Sequence, residues 1–214
     1  MNKYIDDFYY LILARRLRSY SFCHRRKLLS LMRLAQYVNM SGIKGDFVEC
    51  GVYKGGTAAL LSRFLGDSNQ LWLYDSFEGM PDTNVKDGEM AKAYIGEGAV
   101  ELEHVMNVMQ RLGKNLDRVL IKKGWFSHTF IEAGPKSIAL LHCDADWYES
   151  VLSVLNKFYD AVSDGGVIIL DDFGYWEGCR EAFYEFCRAK NLKPLVERVS
   201  TDQLYWVKGK ETNR

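Results

Sequence analysis

Two closely spaced pairs of aspartates could place several carboxylates at one site. Asp144-Ala145-Asp146 directly follows the apolar run 138–143, and Asp171-Asp172 directly follows the apolar run 167–170. If these runs are neighbouring parallel strands, about 4.8 Å apart, their terminal carboxylates converge on one point. Like charges at one buried place raise one another's pKa values unless a cation neutralises them. The pattern therefore predicts a divalent cation held by Asp144, Asp171 and Asp172.

The donor set indicates which cation this is. Hard cations prefer oxygen ligands, so Mg²⁺ is the first candidate, with Mn²⁺ or Ca²⁺ as alternatives. The competing interpretation is that Asp146 and Asp172 cap helices that begin just after them. His142 lies two residues before Asp144, on the same face of a strand, and is a further catalytic candidate. A single histidine in a strand is, however, more often structural than catalytic.

A second group of residues predicts a ligand that contains a nucleoside. The apolar run 46–50 leads into a glycine-rich turn, and the helix that follows starts at about Thr57 with its amides facing a ligand. Asp75 follows the next apolar run, where an acid can accept hydrogen bonds from a ribose diol. The turn lacks the spacing of the dinucleotide motif GxGxxG, which disfavours a nicotinamide cofactor. The candidate ligand contacts at these strand ends are Glu49, Cys50, Gly51, Val52, Gly55, Thr57, Asp75, Ser76, Phe77, Gly124, Trp125, Phe126 and Asp144.

The elements that must position these residues alternate between strands and helices. Short apolar runs predict buried strands at 46–50, 70–74, 119–122, 138–143 and 167–170. Such apolar strands are typical of a parallel sheet that is covered on both faces. Two further runs, 195–198 and 203–207, predict an antiparallel hairpin at the end of the sheet. The expected fold is therefore α/β, with a doubly wound, mostly parallel sheet of seven strands.

The first 40 residues predict helices beside this sheet. Leu28 and Leu31 follow helical spacing, whereas Arg25, Arg26 and Lys27 are predicted to face solvent. We expect a helical segment over 1–40 and an α/β unit over 41–214, which together form a single domain. The glycine-containing stretch within 75–116 predicts a mobile lid.

Composition limits the choice of partners and compartment. The 28 basic residues balance the 28 acidic residues, so no overall charge favours nucleic acid. Five scattered cysteines without a CxxC pair suit a reducing compartment. The apolar run 8–14 is shorter than the roughly 20 residues that a membrane span requires. We expect a cytoplasmic protein with no membrane span, no nucleic-acid partner and a small-molecule substrate.

Taken together, these motifs resemble the macrocin O-methyltransferase (TylF/MycF) family. The resemblance runs from about Arg25 to Trp206, and its most specific part is 144–150. It implies a Rossmann-like class I methyltransferase fold and Mg²⁺-dependent methyl transfer from S-adenosylmethionine to a sugar hydroxyl. It also implies a glycoside acceptor and a homo-oligomer. By position, the resemblance implies that Asp146 is the general base and that the cofactor is contacted by Glu49, Gly51, Asp75, Ser76 and Trp125.

Three other functions fit parts of the pattern. A catechol-type O-methyltransferase would use the same cation on an aromatic diol. A metal-dependent hydrolase or phosphotransferase would also place carboxylates at strand ends, but the GxxxxGK[ST] and GxSxG motifs are absent from the sequence. A non-catalytic nucleoside-binding module would have no need of the two aspartate pairs.

Overall fold

Strands and helices alternate along the chain in the computed structural model, which describes the backbone of residues 3–211 and the side chains of residues 8–210. The strands are β1 Asp46–Cys50, β2 Leu71–Asp75, β3 Val119–Lys123, β4 Ile138–Cys143, β5 Val162–Leu170, β6 Pro194–Arg198 and β7 Leu204–Glu211. The helices are α1 Lys3–Leu17, α2 Arg25–Met40, α3 Gly56–Ser62, α4 Leu102–Leu112, α5 Phe126–Thr129, α6 Tyr148–Phe158 and α7 Glu177–Ala189. Short 3₁₀ turns at Val85–Asp87 and Met90–Tyr94 interrupt the long connection between β2 and α4.

All seven strands form one sheet in the order β3-β2-β1-β4-β5-β7-β6. Strands β1 to β5 are parallel, and β7 pairs antiparallel with both β5 and β6. This order confirms the predicted doubly wound sheet with its C-terminal hairpin. Strand β1 has β2 on one side and β4 on the other, so the winding reverses between β1 and β4. A crevice opens beyond the carboxyl ends of strands at such a reversal, and ligands of open α/β sheets bind there.

The two faces of the sheet belong to two separate hydrophobic clusters. Phe47 and Leu140 pack with residues of α1 to α4 on one face. Val48 and Leu141 pack with residues of α6 and α7 on the other face. Because helices cover both faces, neighbouring residues of each central strand are buried alike. This explains why the strands appear in the sequence as continuous apolar runs.

Three details differ from the sequence-based prediction. Strand β5 starts at Val162 rather than at residue 167, because Ser163, Asp164 and two glycines continue it without an apolar pattern. The predicted lid is wrong for α4, whose Val105 and Val108 are buried in the core. The irregular part of that region is 79–98. Lys27 is also buried rather than solvated.

The N-terminal helices follow the prediction for the residues that the structure describes. Helices α1 and α2 both contribute side chains to the cluster on the first face of the sheet. Within residues 3–211, every helix is too short or too polar to cross a bilayer.

Candidate active site

A cavity of about 1300 Å³ lies beyond the carboxyl ends of β1, β2, β4 and β5. It is lined by the predicted site residues Gly51, Val52, Thr57, Asp75, Ser76, Gly124, Trp125, Phe126, Asp144, Asp146, Asp171 and Asp172. The structure also describes five other predicted residues that do not line the cavity, namely Glu49, Cys50, Gly55, Phe77 and His142. The cavity therefore unites the strand-end residues of both predicted groups.

Asp75 organises the glycine turn that follows β1. Its Oδ2 accepts hydrogen bonds from the backbone amides of Val52 at 2.6 Å and Tyr53 at 3.1 Å. Its Oδ1 accepts a third, from the amide of Phe77 at 2.7 Å. Tyr53 and Phe77 both have left-handed backbones, with φ of 50° and 61°. Asp75 thus stabilises two unfavourable backbone conformations, and part of its acceptor capacity is already used.

Gly51 marks the point where the ends of β1 and β4 touch. Its φ is +91°, and a Cβ atom there would lie 1.8 Å from the carbonyl oxygen of Asp144. The backbone of Asp144 also donates a 2.9 Å hydrogen bond to the carbonyl of Cys50. Only glycine fits this approach, so the glycine that suggested a ligand turn is also needed for packing.

Backbone bonds continue past the strands and bring the aspartates together. The amide of Asp171 donates to the carbonyl of Cys143 at 3.0 Å, which extends the β4–β5 pairing by one residue. Asp144 and Asp171 each offer one carboxylate oxygen, and these two oxygens lie within 4.8 Å of each other. Burial, together with the charge of Asp171, raises the pKa of Asp144 well above its ordinary value and that of Asp172 to about 7. The predicted convergence of carboxylates is therefore present.

These carboxylates fit a hard cation. Oδ2 of Asp172 is buried, and it has no hydrogen-bond partner within the described part of the chain. Cys23, Asp144 and Asp171 each offer one atom such that all three atoms lie within 4.8 Å of one another, and Asp172 is outside that group. Burial followed by the charge of Asp171 raises the pKa of the Cys23 thiol, so it remains a neutral, soft donor. The oxygens are the donors that suit Mg²⁺ or Mn²⁺.

Asp171 differs from the other aspartates because protein donors already neutralise it. Its Oδ2 lies 2.6 Å from Nζ of Lys27, and its Oδ1 accepts a hydrogen bond from the side chain of Gln203. Nε2 of His142 lies 3.5 Å from the same Oδ1. Burial alone would raise the pKa of Asp171, but His142 and Lys27 hold it well below its ordinary value.

His142 is enclosed between two acids. Its Nδ1 lies 2.9 Å from Oε1 of Glu49. His142 and Glu49 are both fully buried. Burial would lower the pKa of His142, but Asp171 and Glu49 raise it to about 9. This geometry favours a positioning role for His142 over contact with a substrate.

Asp146 faces the cavity from a left-handed backbone with φ of 56°. Its Oδ1 accepts a 2.8 Å hydrogen bond from the indole nitrogen of Trp176. Helices α6 and α7 are preceded by Trp147 and Trp176, and neither helix has a side-chain cap. The alternative in which Asp146 and Asp172 serve as helix caps is therefore wrong.

The irregular segment 79–98 rests against the aspartate end of the cavity. The carbonyl of Pro81 accepts a 3.0 Å hydrogen bond from the indole nitrogen of Trp147. Asp87 is buried and accepts a 2.7 Å bond from the amide of Tyr148. The ring of Tyr94 packs edge-on against Trp176 at 5.1 Å. In this structure the segment covers the site and is bonded to it.

Several side chains at the site escape a reading of the sequence alone. They are Cys23, Lys27, Trp176, Asp202 and Gln203. Only the helical spacing of Lys27 could have indicated its burial, because Lys27 lies on the same helix face as Leu31 and Val38, which are buried. Asp202 and Gln203 lie in a hairpin turn, and nothing local indicates that the turn reaches the cavity.

Comparison with known proteins identifies the family. The family model described as macrocin O-methyltransferase (TylF) matches residues 15–208. Over 190 residues the chain is 31% identical to the 8-demethyl-8-(2,3-dimethoxy-alpha-L-rhamnosyl)-tetracenomycin-C 4'-O-methyltransferase of Streptomyces olivaceus, covering 85% of this chain and 72% of that protein. Over 193 residues it is 29% identical to the mycinamicin III 3''-O-methyltransferase of Micromonospora griseorubida, covering 85% and 75%.

Solved structures show the same architecture. The O-methyltransferase NovP superposes with a TM-score of 0.83 at 26% identity, covering 90% of this chain and 83% of that one. The calicheamicin methyltransferase CalS11 superposes with a TM-score of 0.72 at 19% identity, covering 88% and 82%, and so shows the fold alone. The chain therefore belongs to the macrocin O-methyltransferase (TylF) family and is a methyltransferase with a Rossmann-like class I fold.

Proposed function

We propose that this protein uses S-adenosylmethionine and a divalent cation to methylate a sugar hydroxyl of a glycosylated natural product. The observation that carries the proposal is that one cavity contains both the Asp75-stabilised glycine turn and the carboxylates of Asp144, Asp146 and Asp172. Two relatives are named for methylation at the 4' and 3'' positions, which supports a glycoside acceptor.

The cofactor would lie along the ends of β1, β2 and β3. The turn at Gly51 exposes backbone to the cavity, and Asp75 keeps one lone pair, on Oδ1, that its three amide bonds leave free. Ser76 and Trp125 also line this end, and Trp125 offers an aromatic surface for a purine. When bound, S-adenosylmethionine supplies the methyl group and a divalent cation supplies positive charge beside the acceptor oxygen.

Asp144 and Asp172 would hold the cation, with Asp171 as the third carboxylate. Mg²⁺ is our first choice and Mn²⁺ or Ca²⁺ the alternatives, because all three prefer carboxylate oxygens. The unpartnered Oδ2 of Asp172 and the raised pKa values of Asp144 and Asp172 are the features that a cation would relieve.

Asp146 is our candidate for the general base. Burial and the charge of Asp172 raise its pKa well above the ordinary value, which strengthens it as a proton acceptor. The bond from Trp176 fixes the carboxylate, so that it can take the proton of an acceptor hydroxyl as the oxygen becomes nucleophilic. The segment 79–98 would limit the access of water to the site.

We extend the proposal to the protein's context. We propose that the protein is a homo-oligomer and acts in the cytoplasm. We also propose that each chain is a single domain, in which 1–40 is a helical segment and 41–214 is the methyltransferase unit. A catechol-type acceptor is the alternative, since an aromatic diol would offer the same pair of oxygens to the cation.

Calorimetry tests the cofactor half. S-adenosylhomocysteine should bind the wild-type protein, and Asp75→Ala should weaken that binding by about a hundredfold through the loss of charged hydrogen bonds. Asp82→Ala is a matched control, because Asp82 lines the same cavity but is exposed. Tight NAD binding without S-adenosylhomocysteine binding would reject the proposal.

A labelled-methyl assay tests the chemistry. Glycosides and catechols should be offered side by side, with and without a chelator. We expect label on glycosides, loss of transfer in the chelator, and loss of transfer in Asp146→Asn with S-adenosylhomocysteine binding retained. Full activity in the chelator would reject the cation, and a preference for catechols would select the alternative acceptor.

A further inference from the structure

Lys27 places a positive charge in the wall of the cavity. Its side chain is 5% exposed, although it lies on α2 beside two exposed arginines. Its Nζ lies 2.6 Å from Oδ2 of Asp171 and 2.7 Å from Oδ2 of Asp202, and it donates to the carbonyl of Asp171 at 3.1 Å. An ammonium has three hydrogens, so these three oxygens satisfy it fully. A buried lysine paired this completely is fixed in position.

The ion pair with Lys27 distinguishes Asp171 from the other carboxylates proposed to bind the cation. Asp171 receives Lys27 on one oxygen and Gln203 on the other. Asp144 and Asp172 have no ion pair within the described residues, and Oδ2 of Asp172 has no partner at all there. A cation that binds here therefore meets two carboxylates that have no ion pair within the described residues and one that a lysine already occupies.

We propose that Lys27 is a positioning residue that competes with the divalent cation for Asp171 and thereby sets how tightly the site binds metal. The inference rests on the proposed function, because it takes the aspartate cluster to be a metal site. Lys27 holds Asp171 in place between β5 and α2 when no metal is bound. Once the cation binds, the ammonium lies close to a second positive centre and weakens its binding.

Asp202 should reduce the effect of Lys27 on cation binding. It is the second acid on Nζ of Lys27 and belongs to the turn between β6 and β7, away from the cavity's other aspartates in the sequence. Its negative charge offsets part of the ammonium charge. Removal of Asp202 should therefore make Lys27 a stronger competitor, whereas removal of Lys27 should relieve the competition. The two changes are predicted to have opposite signs.

The test is Mn²⁺ binding to chelator-treated, full-length protein, followed by electron paramagnetic resonance. We expect Lys27→Met to bind Mn²⁺ about tenfold more tightly than wild type and Asp202→Asn about threefold more weakly, as expected for nearby charges in a partly screened site. Arg26→Met is the matched control: it removes a positive charge from the neighbouring, exposed position of α2 and should change the affinity by less than about twofold.

Damage to the fold would weaken Mn²⁺ binding in both variants. The inference instead predicts tighter Mn²⁺ binding by Lys27→Met and weaker binding by Asp202→Asn. Equal or weaker binding by Lys27→Met overturns the inference while the proposed function stands. If Lys27→Met does not fold, Lys27→Gln and Asp202→Asn decide, and wild-type affinity in Asp202→Asn overturns it. If neither wild type nor the Lys27 variants bind Mn²⁺, the inference and the proposed cation both fail, and S-adenosylhomocysteine binding in the same samples reports on the cofactor half.

Discussion

The indole nitrogen of Trp176 donates a 2.8 Å hydrogen bond to Oδ1 of Asp146, and it is the group that fixes this carboxylate at the cavity. Trp147, whose ring packs against Trp176 at 4.8 Å, instead donates to the carbonyl of Pro81 in the segment 79–98. The indole nitrogens of these two adjacent buried tryptophans thus donate to acceptors with different roles. One orients the proposed base, and the other fastens the segment that covers it.

Trp176→Phe should lower the turnover number for methyl transfer by about ten- to a hundredfold, because one hydrogen bond to a charged group contributes roughly 1.5–3 kcal/mol. Affinity for S-adenosylhomocysteine should stay unchanged. Trp147→Phe is the matched comparison and should raise the KM for the acceptor more than it lowers the turnover number. Steady-state kinetics with labelled S-adenosylmethionine would measure both. Identical effects of the two variants would contradict the separate roles.

Gly51→Ala should lower the free energy of unfolding by more than about 3 kcal/mol, since large effects follow when added atoms collide with fixed backbone. The new Cβ would lie 1.8 Å from the carbonyl oxygen of Asp144. Gly42→Ala is the control: its φ is +67°, but nothing lies within 4 Å of its Cβ position. It should cost only about 1–2 kcal/mol for the left-handed backbone. Urea unfolding of both variants gives the comparison, and equal losses would refute the steric argument.

Stability of the metal-free protein should fall as the pH rises from about 6.5 to about 9. The pKa of His142 is raised to about 9 in the folded protein, so its stabilising charge is complete below its ordinary pKa of 6.5 and is lost on passing 9. The expected loss is about 3 kcal/mol, at 1.36 kcal/mol for each pKa unit. The measurement is urea unfolding at several pH values in a chelator. His142→Gln should be less stable and should lack this part of the pH dependence; the same slope in both proteins would exclude His142 as its source.

Asp172→Asn should stabilise the metal-free protein above pH 7 while weakening Mn²⁺ binding. In the folded protein the pKa of Asp172 is raised to about 7, so its ionisation works against the fold as the pH rises from 3.8 through 7. We expect a gain of at least about 2 kcal/mol at pH 8, because ionisation of a buried carboxylate beside the charge of Asp171 is unfavourable in the folded protein. Thermal unfolding in a chelator would measure it. A loss of stability would show that Asp172 is held by favourable contacts.

The positions of the buried strands and the two groups of strand-end residues could be predicted because their signals are local. Buried parallel strands leave apolar runs such as 138–143, and the chain must place Asp144 at the edge where that run stops. The start of β5 could not be predicted, since Asp164 and Gly165 continue the strand without an apolar pattern, and the pairing with β4 is irregular between Val162 and Val167. Hydrogen bonding to neighbouring strands, rather than side-chain type, decides that boundary.

The surroundings of Asp171 and Asp75 show where such reasoning stops. The charge of Lys27 predicts exposure to solvent, and only its pairing with Asp171 and Asp202 makes burial favourable. Asp75 was predicted as a ribose ligand, yet its oxygens already hold three backbone amides of the turn. Neither fact is visible in the sequence, because each depends on which distant groups the fold brings within hydrogen-bonding distance.

The ionic contact among Lys27, Asp171 and Asp202 joins an early helix, a central strand and a late hairpin turn. During synthesis on the ribosome, Lys27 and Asp171 emerge before the turn that carries Asp202 and Gln203. The carboxylate end of the site therefore reaches its final arrangement only when the hairpin docks, whereas the glycine turn and Asp75 can meet much sooner. We expect nascent chains to acquire the nucleoside end first and to complete the carboxylate end last.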